Sequence, residues 1–548
     1  MVHALAMMRR FAMFSAAGLS VAAPSALAAQ DDGAQPAQPS QNNARPAAGA
    51  QKPEPHFDIF EFVIDGNTVL PEVALEEAVY PFLGEDQVAA DVDRARDALE
   101  RLYRERGYQT VQVSIPKQGV ESKIIHLQIS ENPVGRLRIV DSKYHTPEEI
   151  KKTAPSLQEG TVPNLNAVQN DIVALNQQAD MKVTPRLKAG KAPGTVDVDL
   201  EVDDTLPLHA SVEINNQHNP QTSELRTTAT VSYDNLWQLG HSFSFTYQVA
   251  PQNRDDAEVF SGSYLARIPR SDWSILAYAV KSDSAVAALA NTDVIGRGTI
   301  FGARGIVNLP GDDTFFQSLT LGVDRKDLTQ NVVTAGVPAN APVLYYPLSV
   351  VYAPLWRDAD LTTQANISVN FALPGIGSDS RKFDVQRFDA VRQYVYAKGS
   401  VNHTRPFFGD TQLFARLEGQ LADGPLLSSE QMSAGGANTV RGYLEAERLG
   451  DDGFVGTIEL RTPVLDALSR SVTKDWRLAA FFDGAALWLN QPLPGEQENF
   501  KLASAGVGTR FSLLEALNGA VDVAFPLIDG SVTKAGNPYV HFRFSAGL

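Results

Sequence analysis

The sequence lacks several features that would assign it directly to a class of protein. It contains no cysteine, and beyond residue 28 it has no run of about 18 consecutive apolar residues. The second absence excludes a protein that crosses a membrane with helices. The first is compatible with an oxidising envelope compartment, which permits disulfides without requiring them. A formal net charge of −17, without any basic block or stripe, argues against a nucleic-acid partner.

Enzyme signatures are absent as well. The chain has no H-E-x-x-H, G-x-S-x-G or P-loop motif, and its nine histidines are scattered without metal-ligand spacing. Gly506-Val507-Gly508 could begin a dinucleotide motif, but it lies in a strand-rich region without a following helix. We therefore expect no catalysis, no metal and no other cofactor. The chain is interpreted as a pore or a binding module.

The N-terminal segment is typical of an exported protein. Two arginines lead into an apolar stretch at residues 11–23, and a small-x-small cleavage site ends at Ala28. This pattern predicts a signal peptide over residues 1–28. An uncleaved anchor is the alternative, although the apolar stretch is short for a membrane span. Residues 29–56 are rich in Ala, Pro, Gln and Asn and lack a hydrophobic period, which predicts a disordered linker.

Residues 57–132 and 133–204 show the same order of predicted elements. In the first segment Phe60, Phe62 and Ile64 alternate as a strand, and helices and two further strands follow. The second segment repeats strand, helices, strand and strand. A repeat of about 70–75 residues indicates two copies of one small α/β domain.

From residue 205 to the C-terminus, two-residue alternation of apolar and polar side chains replaces helical periodicity. The clearest segments are residues 242–249, 315–324, 366–373, 412–421 and 476–483. A barrel strand crosses a membrane with about 9–11 residues and shows only this alternation. The chain has no apolar run long enough for a membrane helix, but its alternating segments are long enough for the strands of a membrane barrel.

A soluble β-sandwich would also alternate, so it is the main alternative for residues 205–548. The segment is longer than the roughly 200–250 residues of a single soluble β domain. Charged side chains such as Arg416 and Glu418 share the polar face, as a wet lumen tolerates. The final strand also continues to Leu548. Together with the signal peptide, these features predict a transmembrane antiparallel β-barrel of about 16 strands.

The most specific motif lies within residues 429–461. Its distinguishing residues are Gly435, Gly436, Val440, Arg441, Gly442 and Tyr443. With two α/β repeats before a barrel of this length, the motif resembles the signature of the TpsB transporters of two-partner secretion. These are relatives of FhaC and ShlB in the superfamily of BamA. The resemblance extends over residues 57–548.

This resemblance implies a pore in the outer membrane of a Gram-negative bacterium, with 16 strands and two periplasmic POTRA domains at residues 57–132 and 133–204. It implies a partner, a large exoprotein of the adhesin or haemolysin type. The POTRA domains would bind this partner, and the pore would pass it unfolded across the outer membrane without a nucleotide. It also implies a monomer that the barrel assembly machinery inserts among outer-membrane lipids.

The resemblance further implies that Val440, Arg441, Gly442 and Tyr443 form the tip of an extracellular loop folded into the lumen. A buried guanidinium needs a carboxylate partner. In the family this partner is the Asp of an F-x-D-x-G motif. The corresponding residues here are Phe481, Asp483 and Ala485, so the final glycine is replaced. Strand parity independently places Asp483 inside the barrel, where it could also be just another polar lumenal residue. We expect Glu430, Gly435 and Gly436 to support the loop.

Two rival functions remain possible, and the sequence departs from the family in two respects. An assembly factor resembling BamA or TamA would carry the same loop but more POTRA domains, and a general porin or receptor would need neither. Residues 30–55 show no helical period, so no helix that plugs the pore is expected there. The chain ends in Leu548 rather than in an aromatic residue, which weakens the expected insertion signal.

Overall fold

The computed structural model describes residues 55–548, except 177, 179, 270, 285, 290–291, 296, 335–336, 374, 466–472 and 515. The chain divides into two compact units, and the boundary in the sequence lies between Asp204 and Thr205. The predicted signal peptide lies outside the described residues. So do all but the last two residues of the predicted linker, and with them the segment in which no plug helix was expected. In the described part of the chain, no helix is both long and apolar enough to cross a membrane.

The first unit begins with an α/β fold. Its elements are β1 (Phe57–Ile59), β2 (Glu61–Asp65), α1 (Glu72–Val79), β3 (Gly84–Gln87), α2 (Ala89–Glu105), β4 (Gln112–Ser114) and β5 (Ile124–Ser130). Strand β5 pairs in parallel with β2 and antiparallel with β4, while β1 pairs with β3. The strand predicted from Phe60 starts one residue later, because Phe60 separates β1 from β2 and is 57% exposed.

Helix α2 forms because its apolar residues recur on one face. Val92, Ala95, Leu99 and Tyr103 recur three or four residues apart and are all buried in the core. The helix ends before Gly107, whose φ of 93° favours glycine in this position after a helix.

A second α/β fold follows with the same order of elements. These are β6 (Val134–Val140), α3 (Pro147–Thr153), α4 (Leu165–Leu175), β7 (Met181–Ala189) and β8 (Val196–Asp204). Strand β8 lies between β6, to which it is parallel, and β7, to which it is antiparallel. The arrangement reproduces that of β2, β5 and β4.

Asp204 at the end of β8 holds the segment between β6 and α3. Its buried carboxylate accepts backbone N–H groups from Lys143 at 3.0 Å, Tyr144 at 2.8 Å and His145 at 3.1 Å. Burial alone would raise the pKa of this carboxyl. The hydrogen bonds from Tyr144, Lys143 and His145 outweigh burial, so the pKa lies below its usual value.

The second unit contains the remaining strands and one helix. The strands are β9 (Leu208–Asn215), β10 (Arg226–Leu236), β11 (His241–Val249), β12 (Glu258–Arg267), β13 (Trp273–Ser282), β14 (Val286–Leu289), β15 (Thr292–Ile295), β16 (Arg297–Leu309), β17 (Phe315–Thr334), β18 (Val337–Tyr345), β19 (Pro347–Arg357), β20 (Thr362–Ala372), β21 (Val395–Phe408), β22 (Thr411–Ala422), β23 (Met432–Ala434), β24 (Arg448–Gly450), β25 (Asp452–Arg461), β26 (Thr473–Trp488), β27 (Asn499–Leu513), β28 (Leu517–Pro526) and β29 (Tyr539–Gly547). The helix is α5 (Ser380–Gln386).

These strands close into an antiparallel barrel in which β29 pairs with β9. Strands β18 and β19 both pair with β17 and are two parts of one crossing, interrupted at Tyr346. The hairpins β14–β15 and β23–β24 lie outside the barrel sheet. The wall therefore has sixteen crossings, which confirms the predicted barrel and its strand number.

Alternation along the wall separates an apolar outer face from a polar lumen, as β26 illustrates. Leu478 and Phe482 are 47% and 51% exposed on the outside, whereas Asp483 is 0% exposed. Gly506, Val507 and Gly508 lie within β27, as expected from the strand-rich sequence around them. The outer face is suited to lipid and the inner face to charged groups.

One end of the lumen is filled by an apolar cluster. Helix α5, in the segment between β20 and β21, contributes Phe383, whose ring contacts that of Tyr345 on β18, and Tyr345 in turn contacts Tyr394. Leu426 and Leu427, just after β22, belong to the same cluster. This end lies opposite the one at which β9 begins, because α5 follows the far end of β20.

The role of Asp204 can be tested by its pH dependence. Asp204→Asn should destabilise the second α/β fold by about 1–3 kcal/mol at pH 7, because an amide replaces a charged acceptor of several N–H groups. Since the pKa is lowered on folding, this contribution is complete above the unfolded value. It is lost as the pH falls below about 4 through the folded value. The measurement is urea unfolding of a fragment comprising residues 55–204. The difference in free energy of unfolding between wild type and Asp204→Asn should be largest at pH 7 and smaller at pH 3.

The neighbouring, exposed Asp203 supplies the control for this experiment. Asp203→Asn should leave the free energy of unfolding within about 0.5 kcal/mol of the wild-type value. A gap between Asp204→Asn and wild type that stays constant from pH 7 to pH 3 would contradict the assignment.

Candidate functional site

The connection between β22 and β25, residues 423–451, is folded into the barrel. It contains the short hairpin β23–β24, and many of its residues are buried. Connections between strands usually lie on the surface, so burial of this one is unusual. At the tip Val440 and Tyr443 are fully buried, and Arg441 is 5% exposed. We call residues 423–451 the lumenal loop.

Three glycines give the loop its path. Gly435, Gly436 and Gly442 have φ values of 108°, 110° and 93°, a region that L side chains rarely adopt. At Gly442 a Cβ atom would also lie 3.2 Å from Pro526 and 3.3 Å from Ala524 on β28. The backbone of the tip can therefore approach the wall only with glycine at this position.

Arg441 binds the wall through its whole guanidinium group. Its Nε and Nη2 donate to the two carboxylate oxygens of Asp483 at 2.8 and 2.9 Å, and its backbone N–H donates to the same carboxylate at 3.1 Å. Its Nη1 donates to Glu459 on β25 at 2.6 Å. The guanidinium carbon lies 3.3 Å from the centre of the Phe481 ring. The structure thus brings together the predicted arginine, aspartate and phenylalanine.

Further charged groups surround this ion pair. Asp522 of β28 lies 3.6 Å from Nη1 of Arg441 and 2.8 Å from Nη1 of Arg510. Glu459 also accepts from Nε of Arg461 at 2.8 Å. The acidic and basic side chains form one network at the lumenal wall. A cluster of this kind satisfies a guanidinium that burial would otherwise penalise by several kcal/mol.

The residues beside Arg441 bind strands farther along the wall. The Tyr443 hydroxyl lies 2.9 Å from the carbonyl oxygen of Ala503 on β27 and 2.6 Å from that of Ile528. The backbone N–H of Gly442 donates to Nε2 of His541 on β29 at 2.8 Å. The tip is therefore bound to three more strands or their ends.

Glu430, Gly435 and Gly436 occupy other parts of the lumenal loop. Glu430 does not contact Arg441. It accepts from Lys326 Nζ and the Tyr345 hydroxyl, each at 2.6 Å, and from the Tyr396 hydroxyl at 2.9 Å. The loop is therefore attached to the wall near its start as well as at its tip.

Sequence reasoning did not single out Glu459, Asp522 or His541 as members of the site. The signal available for them was strand parity, which places each on the inward face of its strand. Parity alone does not say which inward residues meet the loop, because this depends on the depth of each residue along its strand. Ala485, which replaces a glycine of the family pattern, lies two residues beyond Asp483 and leaves the ion pair intact.

The architecture and the seated loop define a class of outer-membrane barrel protein, and comparison with known proteins identifies the family. Residues 194–511 match the family of the haemolysin secretion/activation proteins ShlB/FhaC/HecB, and residues 57–132 match the ShlB-type POTRA domain. The outer membrane transporter CdiB of Dickeya dadantii is 22% identical over 74% of this chain and 72% of that protein. The heme/hemopexin transporter HuxB of Haemophilus influenzae is 20% identical over 86% of this chain and 84% of that protein.

Solved structures agree on the fold. CdiB from Escherichia coli superposes with a TM-score of 0.65 at 18% identity, covering 92% of this chain and 93% of that one. BamA from Haemophilus ducreyi, lacking POTRA domains 1–3, superposes with a TM-score of 0.53 at 13% identity, covering 90% of this chain and 99% of that one. At this identity the likeness to BamA is one of fold alone.

Because the family match spans more than half of its length, the chain belongs to the ShlB/FhaC/HecB family. It is an outer-membrane transporter that secretes a partner exoprotein, and its POTRA region is periplasmic. The rival function of a general porin is not supported by these matches, and that of an assembly factor rests on the fold alone.

The ion pair can be tested by measuring how often the loop tip leaves its seat. Asp483→Asn keeps the shape of the side chain but removes the charge facing Arg441, so release should increase by about tenfold or more. Since the chain has no cysteine, Ala437→Cys supplies a single thiol for a membrane-impermeant maleimide. Asp324→Asn, which removes a lumenal carboxylate bound to Arg304 instead, should leave labelling unchanged. Equal labelling rates in the two variants would disprove a special role for Asp483.

Proposed function

We propose that the seated lumenal loop is the resting, closed state of the transporter and that it leaves its seat when the partner passes. The observation that carries this proposal is the buried Arg441, bound by Asp483 and Glu459 inside the lumen. A polypeptide needs a continuous channel, and the loop lies within that path. Phe383 and Tyr394 fill one end of the same path. These segments must therefore rearrange during transport.

An ion-paired loop is suited to such a switch. A buried charge network has one favoured arrangement, because any partial separation leaves a charged group without its partner in a poorly solvated site. The loop therefore rests in one defined position rather than in many. The partner is proposed to be a large exported protein of the adhesin or haemolysin type, and no nucleotide, metal or other cofactor is proposed to take part.

Arg441→Ala should reduce secretion of the partner about tenfold or more while leaving insertion of the barrel intact. Alanine leaves Asp483 and Glu459 buried without their cation, so the loop loses its defined seated position. It can then no longer switch between a seated and a released position. The measurement compares partner in the culture medium with folded barrel in the outer membrane, the latter by its heat-modifiable mobility on gels.

Arg304→Ala is the matched control for Arg441→Ala. Arg304 is also a lumenal arginine bound to a carboxylate, that of Asp324, but it is bonded to the wall and to Tyr278. Its loss should leave secretion near the wild-type level. Normal secretion by Arg441→Ala would refute the proposed role of the loop.

Recognition of the partner is proposed to occur on the two α/β folds, through an exposed strand edge. In the second fold, the outer side of β6 is already bonded at its first residue to the segment after α3, since the Val134 N–H donates to Thr161 and the Gly160 N–H donates to Val134. Strand β7 is the opposite outer strand, and its Leu187 is 48% exposed. An extended segment of the partner can add to such an edge by β-augmentation.

Two exposed apolar residues of this fold distinguish an edge from a helical surface. Leu187→Asp on β7 should weaken binding of the partner about tenfold, whereas Val173→Asp on α4, where the side chain is 54% exposed, should not. Binding is measured between the purified full chain and the purified partner exoprotein. Weakening by Val173→Asp alone would make a helix groove the recognition surface. Full binding after deletion of residues 57–203 would show that these folds are only spacers.

The barrel is proposed to act as a monomer that the barrel assembly machinery inserts. Its outer wall presents apolar side chains to lipid, and Phe544 faces outward four residues before the C-terminus.

A further inference from the structure

The pairing between the last and first barrel strands is short. Strands β29 and β9 are paired over five residue pairs, from Arg543 opposite Asn215 to Gly547 opposite Ser211. Their other neighbours are paired over eight, both between β9 and β10 and between β28 and β29. We call the β29–β9 junction the seam. Fewer backbone hydrogen bonds hold the wall together there than at these neighbouring junctions.

Beyond the end of β9, one side chain continues the seam. The Asn216 amide donates to the carbonyl oxygen of Val540 at 2.7 Å and accepts the backbone N–H of Phe542 at 2.9 Å. Asn216 is 9% exposed. Above the five residue pairs, the seam is continued by Asn216, through these side-chain contacts and through its backbone N–H, which donates to the carbonyl oxygen of Phe542 at 3.4 Å.

The lumenal loop bonds to both sides of this seam within four residues. On one side, the Gly442 N–H donates to His541 Nε2 of β29 at 2.8 Å. On the other side, the Glu445 N–H donates to the carbonyl oxygen of His218 at 3.0 Å. His218 lies three residues beyond the end of β9 and its ring faces that of Tyr539 on β29. Residues 442–445 therefore bridge the first and last strands from inside the lumen.

The contact with His541 is closely constrained. Because the Gly442 N–H is the donor, Nε2 of His541 must be the acceptor and the proton must reside on Nδ1. The His541 ring packs 4.7 Å from that of Tyr539, and the side chain is 4% exposed. Ala524 and Pro526 limit the position of Gly442 on its other side. Neither partner can shift far without losing the bond.

We propose that residues 442–445 clamp the seam and that His541 is the positioning residue of this clamp. While the loop is seated, β29 and β9 are held together by the loop as well as by their own short ladder. When the loop leaves its seat, the seam is left with its five residue pairs, the bonds of Asn216 and the bond from the Leu548 N–H to Ala210. Release of the loop and loosening of the wall are thus one coupled event, and the coupling acts in both directions. The proposal does not depend on the identity of the partner.

Hydrogen–deuterium exchange of the full chain in lipid nanodiscs tests the clamp. In His541→Phe, which fills the space but cannot accept a hydrogen bond, amides of residues 211–215 and 543–547 should exchange about tenfold faster, the effect of one lost hydrogen bond. In His541→Gln, whose Oε1 can replace Nε2 as acceptor, exchange should return towards the wild-type rate. Amides of the β12–β13 junction serve as the internal reference and should not change.

Arg441→Ala provides an independent variant, because it unseats the loop without touching either seam strand. It should accelerate exchange at the seam as well, and it decides the matter if His541→Phe does not fold. Faster exchange at residues 441–445 with an unchanged seam would overturn the proposal. Equal acceleration in His541→Phe and His541→Gln would also overturn it, because the effect would then reflect side-chain shape rather than the hydrogen bond.

Discussion

The structure of the barrel interior depends on one buried cation. The Arg441 guanidinium donates to Asp483 and Glu459 and lies against the ring of Phe481, so almost its whole surface is in contact with the wall. These contacts need a planar cation with N–H donors on several sides, so a lysine ammonium could not replace the guanidinium. The dependence is mutual, since the carboxylates of the wall are themselves buried and need a cation. The seated arrangement of the loop is therefore favoured over one in which these charges are separated.

From this point the contacts spread along about a third of the wall to the seam. Residues 441–445 reach β25 and β26 through Arg441, β27 through Tyr443 and β29 through Gly442, and they meet the end of β9 through Glu445. A loop that only obstructed the channel would not need bonds to so many strands. This distribution makes the loop part of the wall's own cohesion. Other segments inside the barrel are attached to different strands. Helix α5 is held by the apolar cluster around Phe383, and the start of the lumenal loop is held by the contacts of Glu430.

Most of the fold could be predicted from the sequence, because lipid and lumen select opposite side chains at alternate positions. Parity also placed Asp483 inside, and the family motif identified Arg441. The remaining members of the site, such as Glu459, Asp522 and His541, could not be identified. Which inward residues meet a loop depends on the stagger of strands far apart in sequence, which no local pattern encodes. For the same reason the sequence placed Glu430 in the loop but could not identify its contacts with Lys326 and two tyrosines.

The seam also constrains how the protein can be made. Its bonds join Asn216 to Phe542, residues 326 positions apart, and the backbone N–H of the terminal Leu548 donates to Ala210. The cylinder thus cannot close until β29 has been synthesised and exported. Until then β9 presents an unpaired edge, which is prone to association with other strands. A variant without β29 would keep that edge unpaired, so closure of the barrel depends on a strand more than 300 residues away from its partner in sequence.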